Sequence, residues 1–229
     1  MKTYIFLLLA FLFTTCNAQN KTVLSADEFE KGITNIETQI LDVRTTTEFN
    51  GGHINNALLA DWNDAKEFER RISFIDKKKP VYVYCLSGGR SRSAAAAMRK
   101  NGFTNVIELK GGMNAWKTSN KIVIGKSNAK QMTVEEYNKA IANKVVLVDF
   151  GATWCAPCRL MQPILASLQK KYSNKFSLLK VDAGNDEVLI KLNNVTALPV
   201  FIIYKNGKQV WRREGVVTEE ELSNIIKKQ

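Results

Sequence analysis

The chain has 229 residues, of which 45% are hydrophobic and 24% are charged, and this balance is typical of a folded globular protein rather than a disordered one. The formal net charge is +11, but the lysines are scattered and their densest run is only Lys77-Lys78-Lys79. Basic residues do not alternate with aromatic ones, so we expect a solvated basic surface and no nucleic-acid binding.

The first residues have the pattern of a secretory signal, because Lys2 is followed by an unbroken apolar run over residues 4–13. Such a run is shorter than the about 20 residues that a membrane-spanning helix needs. Two ends of the signal are open: cleavage after Ala18, or lipidation of Cys16 in a loose lipoprotein box. Either way we expect residues 1–18 to lie outside the fold and the protein to be exported, in the periplasm or lipid-anchored at a bacterial envelope membrane.

Helical and extended segments alternate through the first half of the chain. Strands are predicted at 39–43, 81–84 and 106–109, and helices after the capping boxes Ser25-x-x-Glu28 and Thr45-x-x-Glu48, at 64–76 and at 91–100. This alternation predicts a mostly parallel sheet with helices on both faces.

A polar stretch without periodicity, residues 118–130, separates the two halves. We therefore predict a first domain over 22–120, a linker over 121–130 and a second domain over 131–229. The second domain is expected to contain a helix opened by Thr133-x-x-Glu136, a strand at 145–150, a helix from Cys155 with Pro163 inside it, strands at 177–181 and 200–204, a hairpin turn at Asn206-Gly207 and a last helix capped by Thr218.

Beyond Cys16, the chain has one close cysteine pair, Cys155 and Cys158, and one odd cysteine, Cys85. This is not the even, spaced set of a disulfide framework, and an odd thiol is a liability in an oxidising compartment unless it is used. The single histidine, His53, adds too few ligands for a structural zinc site. We expect no metal and no bound cofactor.

Cys85 is placed where a strand ends and a helix begins, the edge at which ligand chemistry collects in open α/β sheets. Five residues continue the loop: Leu86, Ser87, Gly88, Gly89 and Arg90. The glycines allow backbone N–H groups to turn inward, and the helix start and the Arg90 charge are expected to favour the thiolate. Cys85 is therefore predicted to be a nucleophile. The alternative is an inert cysteine at a buried strand end.

The spacing Cys85-x4-Arg90 is one residue shorter than the Cys-x5-Arg loop of cysteine phosphatases. The region from 22 to 117 resembles the rhodanese family through Leu41-Asp42-Val43-Arg44, Glu48-Phe49, Gly52-His53-Ile54, Cys85-x-x-Gly88-x-Arg90-Ser91, Gly102-Phe103 and Gly111-Gly112-x-x-Ala115-Trp116. The resemblance implies a sulfurtransferase, in which Cys85 takes a sulfane sulfur from a small donor and passes it to a thiophilic acceptor. Asp42, Arg44 and His53 match framework positions. The absence of a basic residue at 86 or 87 argues against thiosulfate as the donor.

The second constellation is Trp154-Cys155-Ala156-Pro157-Cys158 at a helix start. The helix N-terminus stabilises a thiolate at the first cysteine, and the second cysteine, one turn deeper, can resolve a mixed disulfide. Asp149 lies in the apolar strand before the motif, where a buried carboxylate is costly unless it has a function. A simple ion-pair role for Asp149 is the alternative. Leu198-Pro199 precedes a β-rich segment, where a cis proline is expected.

Residues 131–229 resemble thioredoxin through Val148-Asp149-Phe150, Trp154 to Arg159, Pro163, Lys180-Val181-Asp182, Leu198-Pro199 and Phe201 to Gly207. The resemblance implies that Cys155 is the nucleophile, that Cys158 closes a redox disulfide with it and that Asp149 accepts the proton of Cys158. Trp154, Leu198 and cis Pro199 would face the substrate, a thiol or disulfide protein. Ala156 replaces the glycine usual in reducing thioredoxins, and the Ala-Pro pair still favours the reducing direction.

The fold expected from the sequence is α/β: a rhodanese-like α/β domain followed by a thioredoxin-fold α/β domain, in a monomer. The function expected is a thiol–disulfide oxidoreductase coupled to a sulfurtransferase, with Cys155 attacking a persulfide held on Cys85. Two alternatives stay open. In one alternative, the first half is only a docking module for partner proteins. In the other, Cys155 and Cys158 bind a metal.

Overall fold

A computed structural model describes residues 21–125, 130–142 and 144–229. The predicted signal over 1–18 and its Cys16 lie outside these residues. Among the residues described, one parallel sheet has the strand order β1-β5-β4-β2-β3 and a second, mixed sheet has the order β7-β6-β8-β9. The chain is thus two α/β units in series, as the sequence predicts.

The first sheet and its helices come from the first half of the chain. Its strands are β1 (Val23–Leu24), β2 (Gln39–Asp42), β3 (Leu58–Leu59), β4 (Val81–Tyr84) and β5 (Val106–Leu109), and its helices are α1 (Ala26–Ile33), α2 (Thr46–Asn50), α3 (Ala65–Ile72), α4 (Gly89–Lys100) and α5 (Gly112–Thr118). Every pair of neighbouring strands is parallel.

Both faces of this sheet are covered, as β4 at its centre shows. Tyr82 and Tyr84 belong to a cluster that includes Phe29 of α1, and the alternate residues Val81 and Val83 pack in a cluster with Met98 of α4. Because side chains alternate across a strand, a strand buried on both faces is apolar throughout.

Local signals determine where several helices begin. The capping boxes at Ser25 and Thr45 are present with both of their reciprocal hydrogen bonds. α4 begins at Gly89, two residues before the predicted start, because Gly88 in the left-handed region (φ 105°) turns the chain directly from the Cys85 loop into the helix. α3 ends at Ile72, earlier than the predicted residue 76.

The second sheet and its helices come from the second half of the chain. Its strands are β6 (Val145–Gly151), β7 (Ser177–Asp182), β8 (Val200–Lys205) and β9 (Lys208–Glu214), and its helices are α6 (Val134–Ile141), α7 (Ala156–Lys171), α8 (Glu187–Leu192) and α9 (Glu219–Lys227). β6 and β7 are parallel, whereas β8 runs antiparallel to both β6 and β9. α8 is a helix that the sequence pattern did not predict.

The predicted hairpin turn joins β8 to β9. Asn206 (φ 50°) and Gly207 (φ 77°) both have positive φ, the geometry of the two-residue turn that suits the twist of paired strands. β6 is the central strand: Leu147 packs in a cluster with α7 and α9, and Val148 in a cluster with α6 and α8.

The start of the predicted linker packs on the first domain. The Lys121 ammonium lies 2.7 Å from carboxylate oxygens of both Asp27 and Glu30, and Ile124 forms an antiparallel bridge with His53. In the part of the chain that the structure describes, no helix is long and apolar enough to cross a membrane.

Candidate active site with two cysteine centres

Cys85 follows the last residue of β4 and is 1% exposed, with a free thiol. Its Sγ accepts the backbone N–H of Gly88 at 3.1 Å. The Ser91 hydroxyl lies 3.3 Å from the Gly88 carbonyl oxygen, at the first turn of α4. The inward N–H group predicted from the two glycines is therefore present at the sulfur.

The surroundings of Cys85 act on its thiol in two directions. Burial raises the pKa of the Cys85 thiol, but hydrogen bonds from the Ser91 hydroxyl and from the backbone N–H groups of Ser91, Gly88 and Ser87 outweigh it, and the pKa lies below its ordinary value. Because a hydroxyl rotates freely, Ser91 can turn from the Gly88 carbonyl to a thiolate when one forms. Ser91 is a contributor that loop spacing alone did not identify.

The Arg90 guanidinium interacts with two anionic groups, Glu48 and Cys85. The side chain makes a bidentate ion pair with Glu48, at 2.6 and 2.8 Å. The pKa of Arg90 is raised first by this hydrogen-bonded pair and also by the charge of Cys85, which agrees with the predicted support of the Cys85 thiolate by Arg90. This pair lowers the pKa of Glu48 to about 2. Hydrogen-bond donors of the loop thus act directly on the Cys85 thiolate, and the Arg90 charge acts on it while paired with Glu48.

The backbone of Cys85 is fixed by the turn into α5. Its carbonyl oxygen accepts the N–H of Met113 at 2.8 Å. A Cβ at Gly112 would lie only 2.4 Å from that oxygen, so only glycine allows α5 to approach the loop so closely. This gives a physical reason for the second glycine of the Gly111-Gly112 motif.

The framework residues Asp42 and Arg44 lie beside the end of β4, where Asp42 pairs with Tyr84 in register and the Arg44 guanidinium lies 5.5 Å from the Tyr84 ring centroid. Asp42 and Arg44, both buried, form an ion pair with a 2.6 Å contact, and Arg44 also donates to the Gly52 carbonyl. The His53 ring stacks on Phe49 with centroids 3.7 Å apart, and burial lowers the pKa of His53. These contacts are structural, and none of them reaches the Cys85 sulfur.

Cys155 and Cys158 form a disulfide, with Cys155 at the N-cap of α7. The Cys155 Sγ accepts the Cys158 backbone N–H at 3.3 Å. Pro157 lies in the first turn, where a missing N–H leaves no intrahelical bond unmade, and Pro163 lies within the helix as predicted. The helix start thus directs an N–H group at the Cys155 sulfur.

Asp149 on β6 is 3% exposed. Burial raises the pKa of its carboxyl to about 6, against the opposing effects of the Lys180 charge and a hydrogen bond with Gln162. A Cβ at Gly151 would lie 3.2 Å from Asp149 Oδ1 and 3.7 Å from Cys158 Sγ, so the carboxyl and the second sulfur approach the same bare backbone position. Asp149 also lines a cavity of about 850 Å³.

The predicted cis peptide bond is present between Leu198 and Pro199. Leu198 is 5% exposed and belongs to the same buried cluster as Trp154, Cys155 and Cys158. The structure therefore brings Trp154 and Leu198, the predicted substrate-facing residues, together around the disulfide, with Pro199 beside them.

Sequence reasoning did not find the partners of Trp154. The Leu59 N–H donates to the Trp154 carbonyl at 2.9 Å, and the Arg71 guanidinium lies over the Trp154 ring, 5.0 Å from its centroid. The Phe49 ring meets the same indole edge-on at 6.0 Å. The first domain therefore covers the redox disulfide, and Cys155 is fully buried.

Comparison with known proteins gives the same division of the chain. The family model described as thioredoxin matches residues 128–228, and the model described as rhodanese-like domain matches residues 25–119. Thioredoxin Y, chloroplastic, of Oryza sativa subsp. japonica is 34% identical over 138 residues, which are 59% of this chain and 81% of that protein.

Two further relatives agree. Thioredoxin X, chloroplastic, of Arabidopsis thaliana is 33% identical over 53% of this chain and 69% of that protein. The thioredoxin of Staphylococcus epidermidis is 32% identical over 43% of this chain and 94% of that protein. These relatives and the domain layout support thiol–disulfide oxidoreductase activity. The chain belongs to the thioredoxin family and carries a rhodanese-like domain ahead of its thioredoxin domain.

Proposed function

We propose that this protein is an exported protein-disulfide reductase coupled to a rhodanese-type sulfurtransferase. The observation that carries the proposal is the Cys85 sulfur: it accepts the Gly88 N–H at 3.1 Å and its pKa is lowered, on the same chain as the Cys155–Cys158 disulfide. Both halves thus contain cysteines whose surroundings favour thiol–disulfide or persulfide exchange.

In the first half-reaction the Cys85 thiolate attacks the outer sulfur of a small sulfane-sulfur donor. A bond forms between that sulfur and Cys85 Sγ, the sulfur–sulfur bond of the donor breaks, and the rest of the donor leaves as a thiolate, or as sulfite when the donor is thiosulfate. The loop N–H groups and the Ser91 hydroxyl that stabilise the thiolate also stabilise the negative charge of the resulting persulfide.

The second half-reaction uses the reduced pair. The Cys155 thiolate attacks the outer sulfur of the persulfide and regenerates the Cys85 thiolate. Cys158 gives its proton to Asp149 and attacks the Cys155 sulfur, which closes the disulfide and releases hydrosulfide. Two electrons pass from the dithiol to the transferred sulfur, so an external dithiol must reduce Cys155–Cys158 again before the next cycle.

The same pair reduces a protein disulfide. Cys155 attacks one sulfur of the substrate and expels the other as a thiolate, and Cys158 then resolves the mixed disulfide. Asp149, whose pKa is about 6, is ionised near neutral pH and can accept the Cys158 proton.

Intact mass spectrometry tests the sulfurtransferase half. The reduced protein is incubated with a low-molecular-weight persulfide or thiosulfate, alongside Cys85→Ser and Cys155→Ser. With excess donor we expect the wild type to release one sulfide, close its disulfide and then retain the mass of one sulfur atom on Cys85. Cys85→Ser should gain none, and Cys155→Ser should retain its persulfide from the first addition and release no sulfide. If no donor adds sulfur to Cys85, or if sulfide release is the same in Cys155→Ser, the coupling is wrong.

The contact between the domains favours a second candidate function. Phe49, Leu59 and Arg71 of the first domain all contact Trp154, so the first domain has side chains and backbone groups that bind a surface of another folded unit. In this alternative the rhodanese-like half is a non-catalytic docking module that delivers the reductase to partner proteins. Cys85→Ala then leaves both disulfide reduction and partner binding unchanged, and no persulfide forms on the wild type.

Export belongs to the same proposal and is supported by the apolar run over residues 4–13. Intact mass of the protein recovered from a bacterial envelope fraction distinguishes the two signal ends: a chain beginning at Gln19 indicates cleavage, and a diacylglyceryl mass on Cys16 indicates a lipid anchor. A full-length chain in the cytosol contradicts export.

A further inference from the structure

The surface around Cys155 is buried by the first domain. Trp154 is 8% exposed, Cys155 is fully buried and Cys158 is 2% exposed. These residues belong to one buried cluster with Phe49 and Ala57 of the first domain. A nucleophile must reach a sulfur atom of its substrate, so the buried arrangement cannot be the one in which Cys155 reacts with another protein.

The element that lies on this surface is a short segment of main chain. Residues 56–59, which we call the covering segment, end in the edge strand β3. At one end the Leu59 N–H donates to the Trp154 carbonyl at 2.9 Å, and at the other the Asn56 carbonyl accepts from the Arg159 guanidinium at 3.2 Å. Both bonds use backbone groups of the segment, which any sequence can supply.

The side chains of the segment are apolar. Ala57, Leu58 and Leu59 are all buried, and Ala57 and Leu59 share the cluster that contains Cys155. Backbone hydrogen bonds together with pockets for alternate apolar side chains are the means by which proteins bind an added extended peptide.

Arg71 holds the segment and Trp154 together. Its guanidinium lies over the Trp154 ring and also donates to the Leu59 carbonyl at 2.9 Å. One side chain of the first domain therefore contacts both the covering segment and the aromatic residue next to Cys155.

We propose that the covering segment occupies the surface on which Cys155 receives its protein substrates. The first domain then acts as an internal competitor: a partner gains access to Cys155 only after the segment has left. The surface selects partners that present an extended apolar segment beside their disulfide, with a carbonyl for Arg159 and an N–H for the Trp154 carbonyl. This inference rests on the proposed reductase function only in naming the partner, since occlusion is a property of the fold.

Alkylation of the full-length, reduced protein by iodoacetamide tests the inference, with peptide mass spectrometry following Cys155 and Cys85 separately. Arg71→Ala removes the cation over Trp154 and one hydrogen bond to the segment. Arg70→Ala is the matched control, because Arg70 pairs with the same Glu67 at 2.6 Å and its guanidinium forms no hydrogen bond or ion pair with the second domain among the described residues.

We expect Arg71→Ala to accelerate alkylation of Cys155 by about 5- to 30-fold, the change that losing one or two such contacts produces in an opening equilibrium. Arg70→Ala should change it by about twofold or less. The Cys85 rate should be the same in all three proteins, which shows that the first domain is still folded. Equal Cys155 rates in wild type, Arg70→Ala and Arg71→Ala overturn the inference.

If Arg71→Ala unfolds the first domain, Arg159→Ala tests the inference instead. This substitution leaves the sequence of the first domain unaltered and removes the hydrogen bond from Arg159 to the Asn56 carbonyl. Faster alkylation of Cys155 supports the inference, and an unchanged rate overturns it. The insulin disulfide assay separates the two proposals: if no variant reduces insulin but Arg71→Ala still accelerates alkylation, the reductase proposal fails and the occlusion stands.

Discussion

The centres at Cys85 and Cys155 each contain a hydrogen bond of the same type, but their other surroundings differ. Each sulfur accepts the backbone N–H of the residue three positions later, at 3.1 Å for Cys85 and 3.3 Å for Cys155. Cys85 stands alone in a glycine loop, with hydroxyl and backbone donors around it. Cys155 has a second cysteine as its partner and a buried carboxyl nearby.

The difference follows from what each sulfur must do. A cysteine that holds a transferred sulfur atom keeps its negative charge through a whole cycle, so its surroundings must supply lasting hydrogen bonds. A cysteine that alternates between dithiol and disulfide loses its charge when the disulfide closes, and it needs a base for its partner instead. Substitutions at one centre should therefore leave the chemistry of the other centre unchanged.

The largest expected effect is the loss of each nucleophile, and the two losses should be independent. Cys155→Ser should reduce insulin disulfide reduction by about 1,000-fold or more, because no other group can form the mixed disulfide. Cys85→Ser should leave that rate unchanged within about twofold and should abolish persulfide formation. Turbidity and intact mass measure the two activities. A large loss of insulin reduction in Cys85→Ser would show that the two centres do not act independently.

Asp149→Asn should slow resolution of the mixed disulfide by about 100-fold, since an amide cannot accept the Cys158 proton. Quenched-flow trapping of the mixed disulfide measures this step. Persulfide formation on Cys85 serves as the internal control and should not change. If the mixed disulfide resolves at the wild-type rate, Asp149 has only a structural role.

The same substitution should change how stability depends on pH in the oxidised protein. The folded pKa of Asp149, about 6, lies above the value of about 4 in an unfolded chain, so the protein loses stability as the pH rises from 4 to 6. Asp149→Asn removes this loss. We expect it to be more stable than the wild type by about 2–3 kcal/mol at pH 7 and equally stable near pH 4. Urea unfolding at both pH values measures the difference.

Gly88→Ala should affect only the Cys85 centre. A Cβ at Gly88 has room, 3.8 Å from the nearest atom, but the φ of 105° is unfavourable for alanine, and we expect a cost of about 1–2 kcal/mol. The loop then relaxes, the Gly88 N–H moves from the sulfur, and the pKa of Cys85 rises. Gly89→Ala is the control, since it has ordinary φ and no atom within 4 Å. The pH profile of Cys85 alkylation should shift upward in the first variant only.

Glu48→Gln gives the smallest expected effect. It frees the Arg90 charge and should therefore lower the pKa of Cys85, while losing about 1 kcal/mol or less of stability because the ion pair is partly exposed. Thermal unfolding and the same alkylation profile measure both changes. A pKa of Cys85 that does not fall would mean that Arg90 points away from the sulfur even when it is unpaired.

Much of this structure could be predicted because its signals are local. The capping boxes at Ser25, Thr45 and Thr133, the Asn206-Gly207 turn and the cis peptide before Pro199 each depend on a few adjacent residues. The alternation of strands and helices predicted both sheets. The loop after Cys85 likewise has its stabilising donors within six residues of the sulfur.

What could not be predicted depends on residues far apart in the chain. Arg90 pairs with Glu48, 42 positions earlier, and sequence spacing cannot say which carboxylate a free guanidinium will meet. Arg159 reaches the Asn56 carbonyl across 103 positions. The covering of Trp154 arises from the packing of two finished domains, and no local pattern records it.

The edge strand β3 has a consequence for aggregation. Leu58 and Leu59 pair with β2 on one side, and the outward N–H of Leu59 is satisfied by Trp154 of the other domain. An unpaired edge with apolar side chains is a template on which other strands can add. The thioredoxin domain therefore covers an aggregation-prone edge. The first domain produced alone should aggregate under conditions in which the full chain remains monodisperse.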